Sequence, residues 1–145
     1  MNWKKTAIDD LQNYYGREAA LDSLKERVQA LNETMDGLKA AAADKEPVRG
    51  GASHMEDALI NNIVERERLK LNYSAVKRLT DTTRRGLESL SDEERRILDG
   101  FYMRRTSGYI DDLCEQTGLE RAQVYRIKDK ALYKYTVATY GVADY

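Results

Sequence analysis

Apolar residues recur three and four positions apart through the first third of the chain. Leu21, Leu24, Val28, Leu31, Met35 and Leu38 form one stripe, and Leu11 and Tyr14 extend it backward. That alternation is the signature of a helix that buries a narrow seam against another helix, and it predicts a helix over about 3–43. An alanine run and then charge follow between Lys39 and Lys45, and Pro47-Val48-Arg49-Gly50-Gly51-Ala52-Ser53 is the strongest break in the sequence. A loop over 44–55 is expected there. A rougher stripe, Leu59, Ile63, Leu69, Tyr73, Val76, Thr80 and Thr83, interrupted by Arg66, predicts a second helix over about 56–87. Two long amphipathic helices joined by a short Gly-rich loop are expected to fold back as an antiparallel hairpin, here residues 1–88.

The pattern changes after residue 88. Ser91-Asp92-Glu93-Glu94 has the spacing of a capping box and opens a helix carrying Ile97, Leu98 and Phe101. Thr106-Ser107-Gly108 closes that connection. Ile110, Leu113 and small Cys114 then mark one face of a short helix, Gly118 supplies a left-handed turn, and Leu119 returns to the core. Val124 and Ile127 follow at helical spacing, so a helix over about 120–135 packs its back against the short one. The expected fold is all-α: a long, coiled-coil-like antiparallel helical hairpin, then a small helix-turn-helix domain over 89–145.

Composition agrees with that fold. The chain of 145 residues is 34% charged and 41% hydrophobic with a single proline, a balance that favours helices over sheet. No apolar run approaches the roughly 20 residues needed to cross a bilayer. Met1-Asn2-Trp3-Lys4-Lys5 leads into mixed polar sequence without a signal-peptide core. The sequence therefore reads as soluble and cytoplasmic, with no membrane partner. Its single cysteine, Cys114, suits a reducing compartment and serves as a small packing residue.

Catalytic chemistry finds little support. One histidine, His54, lies in the expected loop without a Cys or His neighbour, whereas zinc takes three or four such ligands. No phosphate-binding glycine loop or nucleophile–base pair is present. The pairs Asp9-Asp10 and Asp111-Asp112 and the run Asp92-Glu93-Glu94 sit at helix starts or polar faces, where carboxylates stabilise the dipole. No enzyme activity, cofactor or metal is expected.

Charge distribution is more informative than its total of −1. Between Glu120 and Lys134 stand Arg121, Arg126, Lys128, Lys130 and Lys134 against Glu120 and Asp129, while the preceding helix carries Asp111, Asp112 and Glu115. A basic helix beside an acidic one fits a module in which a single helix enters a DNA groove. Arg121, Tyr125, Arg126, Lys128 and Lys130 are expected to point mostly outward, giving the front of cations and hydrogen-bonding tips that a major groove accepts. Arg126 has a simpler alternative, a surface ion pair with Asp129 or Glu120. Arg104 and Arg105 either flank the DNA backbone or belong to a solvated turn. Tyr133, Tyr135 and Tyr140 follow a helix stripe and are expected in the core or an interface.

From Leu90 onward the series Leu-Ser-x-Glu-Glu-Arg-x-Ile-Leu, Phe101-Tyr102, Tyr109-Ile110, Gly118-Leu119, Val124-Tyr125-Arg126 and Ala131-Leu132 resembles the fourth conserved region of sigma factors. The layout as a whole, with its Pro-Val-x-Gly-Gly segment between helical parts, resembles phage and prophage late transcriptional regulators of the RinA and ArpU type. That resemblance implies a sequence-specific regulator bound to double-stranded DNA near late promoters, with contact to RNA polymerase left open. Carried over by position, it implies that Arg121, Ala122, Tyr125 and Arg126 face the groove, with Lys128 and Lys130 toward phosphates. The N-terminal helical stripes themselves leave two uses for the hairpin: closing on itself as an arm, or pairing with a second copy as a homodimer. Glu120 departs from the Ser or Thr that commonly caps the recognition helix in sigma-like modules. Two other functions stay open from sequence: a helical interaction or adaptor protein working through its hairpin, and a DNA-packaging recognition subunit.

Overall fold

A computed structural model describes residues 2–44 and 51–141. The described residues are almost entirely helical and contain no strand. Helix α1 spans Trp3–Asp44, α2 Gly51–Glu88, α3 Asp92–Leu98, α4 Tyr109–Thr117 and α5 Arg121–Tyr140. A π-helical turn, Asp99–Met103, continues α3 and closes with Arg104 N–H donating to Asp99 O at 2.7 Å. The fold is thus all-α with a long N-terminal helix pair. Pro47 and the glycine break before Gly51 lie outside the described residues. Helix α2 nonetheless starts at Gly51, ahead of the expected position near 56, so His54 is helical and exposed rather than in a loop. The first turn of a helix tolerates such residues, because its N–H groups have no intrahelical acceptor anyway.

The chain forms two compact units, and each long helix contributes to both: Met1–Glu18 with Arg78–Tyr145, and Ala19–Lys77. They do not follow the division at residue 88 that the sequence suggests. The reason lies in the first unit, where Ala7, Leu11 and Tyr14 of α1 and Leu87 of α2 share one core with Leu90, Leu98 and with Ala131, Leu132 and Tyr135 of α5. Helix α5 carries buried residues at Val124, Ala131, Leu132, Tyr135 and Thr136, a stripe at helical spacing whose second half belongs to this core. Close approach depends on Gly86: a Cβ there would stand 2.6 Å from the Tyr135 ring and 2.3 Å from Thr139 Oγ1. Polar groups accompany the core. Buried Asp10 accepts a hydrogen bond from Tyr140 Oη and lies 3.4 Å from Arg17 Nη1, while Trp3 packs against the Tyr140 ring at 4.9 Å, tilted by 34°.

In the second unit α1 and α2 run antiparallel. Asn62 Nδ2 donates to Leu31 O at 2.9 Å, Arg66 Nη1 to Asn32 Oδ1 at 2.8 Å, and Arg27 pairs with Glu65 at 3.7 Å. Lys25 and Val28, earlier on α1, share a groove with Lys70, Tyr73 and Ser74, later on α2. Met35 and Leu69 are buried in this seam. The inward stripe of α2 runs through Asn62 rather than Ile63, which is 46% exposed. Helical spacing explains the change, since Leu59, Asn62, Arg66, Leu69, Tyr73 and Val76 keep the three–four alternation and Ile63 breaks it. Arg66 does not interrupt the stripe but lies along it, half-buried.

Candidate nucleic-acid interface

Helix α4, the turn Gly118-Leu119-Glu120 and α5 form the helix-turn-helix. Ile110, Leu113 and Val124 pack with Ile97 and Phe101 in a second core, lined by half-buried Cys114, Leu119 and Ile127. Gly118 adopts φ +70°, the left-handed conformation in which a Cβ is costly, and donates to Cys114 O at 2.9 Å. Thr117 closes the corner, its Oγ1 donating to Leu113 O at 2.6 Å. Glu120 is the N-cap of α5, with extended backbone, and its N–H donates to Gln123 Oε1 at 3.2 Å. The carboxylate that departs from the Ser/Thr pattern thus stands at the positive end of the helix dipole.

These packed elements fix which side of α5 is open. Arg121, Ala122, Gln123, Arg126 and Lys130 are exposed, and Tyr125 is 41% exposed. Among the described residues Arg121, Arg126 and Lys130 form no ion pair, so the expected alternative for Arg126 is not realised. Asp129 is instead engaged by Lys128 at 2.8 Å.

Lys128 differs from the outward, phosphate-directed residue that the sequence suggests. Its side chain is only 18% exposed, and its ammonium lies 5.4 Å from the Phe101 ring centroid and 5.6 Å from that of Tyr125. Burial by itself favours the neutral amine, but Asp129 and the neighbouring tyrosines outweigh it and hold the Lys128 pKa above its ordinary value. Phe101 is the hub of this patch, meeting Tyr109 at 5.3 Å and Tyr125 at 5.5 Å, both edge to face. The Tyr125 ring is thereby braced at the edge of the open surface.

Other basic residues are also held in place. The Arg104 guanidinium covers the Tyr15 ring at 4.0 Å; that of Arg105 covers Tyr109 at 4.3 Å and donates to its hydroxyl at 2.8 Å. Both arginines are nonetheless exposed, in the connection between the π-helical turn and α4. Lys134, counted with the basic face from sequence, bridges 3.0 Å to Glu94 of α3. Burial alone would raise the Glu94 carboxyl, yet hydrogen bonding to Ser91 and the Lys134 ammonium together hold it below the ordinary range. Of the three tyrosines expected inside, Tyr135 is fully buried and Tyr140 half-buried, whereas Tyr133 is 42% exposed. The aromatic patch around Phe101 has no signal in the sequence beyond the positions of Phe101-Tyr102 and Tyr109, because its members come from the π-helical turn, α4 and α5.

The chain matches no family model, no curated protein and no solved structure. The surface itself carries three cations without ion pairs among the described residues, and a braced tyrosine, on the front of a helix whose back is packed.

Proposed function

We propose that this protein is a sequence-specific DNA-binding transcriptional regulator of the phage late type, which lays the first half of α5 in the major groove. The observation that supports the reading is the open face of α5, where Arg121, Arg126 and Lys130 stand exposed without ion pairs beside Ala122 and Tyr125. A guanidinium on such a face can bind a guanine bidentately, and a good pair of this kind discriminates by about 1–3 kcal/mol. Ala122 leaves room for close approach or for a thymine methyl. Lys130 serves as a phosphate contact, while Lys128 acts within the protein.

The weak total charge implies that few phosphates are neutralised, so affinity for arbitrary duplex is modest and specificity rests on base contacts. The sigma-like resemblance extends the proposal to RNA polymerase, for which co-purification of the two is the direct assay. For DNA itself the test is a titration of the protein on duplex from upstream of its own gene. Replacing Arg121 and Arg126 by alanine is expected to abolish specific binding with helical content unchanged. Equal affinity in wild type and double variant would remove the reading.

A further inference from the structure

The sequence leaves the hairpin two uses for its seam, closing on itself or pairing with a second copy. In the second unit the seam is already occupied: Met35 and Leu69 are buried in it, and Asn62 and Arg66 bond across it. Helix α2 nevertheless carries a second apolar stripe. Ile60 is 56% exposed, Val64 61% and Leu71 71%. At 3.6 residues per turn these three fall on the side of α2 opposite Asn62, Leu69 and Tyr73. A helix with aliphatic residues on two opposed faces has room for a third helix.

We infer that this outer face of α2 binds the same face of a second copy, antiparallel, about a twofold axis near Glu67 and Arg68. The charges on the stripe select that occupant and that direction. Its line begins at Asp57 and ends at Arg78; both are exposed and form no ion pair among the described residues. Antiparallel pairing sets Asp57 opposite Arg78 of the second copy, and by symmetry it does so twice. The same register puts Val64 against Leu71 of the second copy and Ile60 against its small, exposed Ala75. Glu67 and Arg68 of the second copy come together at the axis, where each already has a partner on its own helix, Lys70 at 3.6 Å and Glu65 at 2.5 Å. This central pair therefore adds little, and the Asp57–Arg78 pairs set the direction. A parallel arrangement stacks Asp57 on Asp57 and Arg78 on Arg78, which repel. The face is complementary to itself, as an isologous interface requires.

The test is light scattering on the intact chain across a wide concentration range. The wild type is expected to approach twice the chain mass as concentration rises. Val64→Glu with Leu71→Glu is expected to stay monomeric with unchanged far-ultraviolet circular dichroism. Val64→Ser with Leu71→Ser, which adds no charge, gives the same result if the double glutamate perturbs folding. Arg78→Asp alone is expected to weaken association several-fold, and Asp57→Arg added to it to recover the loss. A wild type monomeric at every concentration, a dimer indifferent to both pairs of variants, or charge reversal without recovery would each overturn the inference.

Discussion

Leu11 sits on the first helix, far in sequence from the helix-turn-helix, yet it is fully buried in the core that holds Leu132 and Tyr135 of α5. Leu11→Ala truncates a buried isobutyl side chain in that core to a methyl. Such truncations cost about 2–5 kcal/mol, because the cavity left behind closes only partly. Set against a typical total of about 5–15 kcal/mol, this is a large share of the stability of the whole unit. The consequence specific to this fold is where the loss is felt. Because α5 and the start of α1 share one core, amides of α5 such as Ala131 and Leu132 should lose protection against hydrogen exchange together with those of 5–18. At tenfold for every 1.4 kcal/mol, protection falls roughly thirty-fold to a few thousand-fold. Hydrogen exchange read residue by residue is the assay. Loss confined to α1, with α5 protected as in wild type, would refute the shared core.

Further outcomes follow from the same contacts. A fragment of residues 89–145 is expected to lack cooperative unfolding, since Leu98, Leu132 and Tyr135 lose the cover of Leu11, Tyr14 and Leu87; a sharp thermal transition in that fragment would contradict this. Burial, with Glu18 beside Tyr14 and Asp99 beside Tyr15, raises both phenols to about 12. Folded pKa values above the ordinary 10 mean that the contribution is complete below pH 10 and lost as pH rises toward 12. Tyrosinate absorbance and circular dichroism should therefore change together in that range. Glu94, held low, works in the opposite sense: its contribution is present above about 4.5 and disappears as pH falls through its folded value. Glu94→Gln should flatten that acid limb, which urea titrations at several pH values will show. Asn62→Leu is expected to raise the melting temperature by relieving a buried amide oxygen that has no hydrogen-bond partner, while loosening the register that the bond to Leu31 imposes.

The elements with local physical signals were legible in the sequence. Ser91 and Glu94 do form the capping box, with Ser91 N–H to Glu94 Oε1 at 3.1 Å and Glu94 N–H to Ser91 Oγ at 3.2 Å. Gly118 takes its left-handed turn, and Val124 and Leu113 face one another across a packed core. What escaped sequence reading depends on partners remote in the chain. Ile63 outranks Asn62 on any hydropathy scale, but helical phase turns the asparagine inward to the Leu31 carbonyl. Lys128 resembles its exposed neighbours until Phe101, Tyr125 and Asp129 surround its ammonium. The boundary at residue 88 followed a change of pattern, whereas the compact unit follows a core assembled from both ends of the chain. Arg121 and Arg126 stand where the periodicity placed them, exposed on α5.

The most direct test of the DNA-binding proposal is selection from a pool of random duplexes by wild-type protein and, in parallel, by the Arg121→Ala/Arg126→Ala variant. The proposal predicts a defined motif enriched by the wild type and no motif from the variant. A wild type that enriches nothing, or a variant that recovers the same motif equally well, would contradict it.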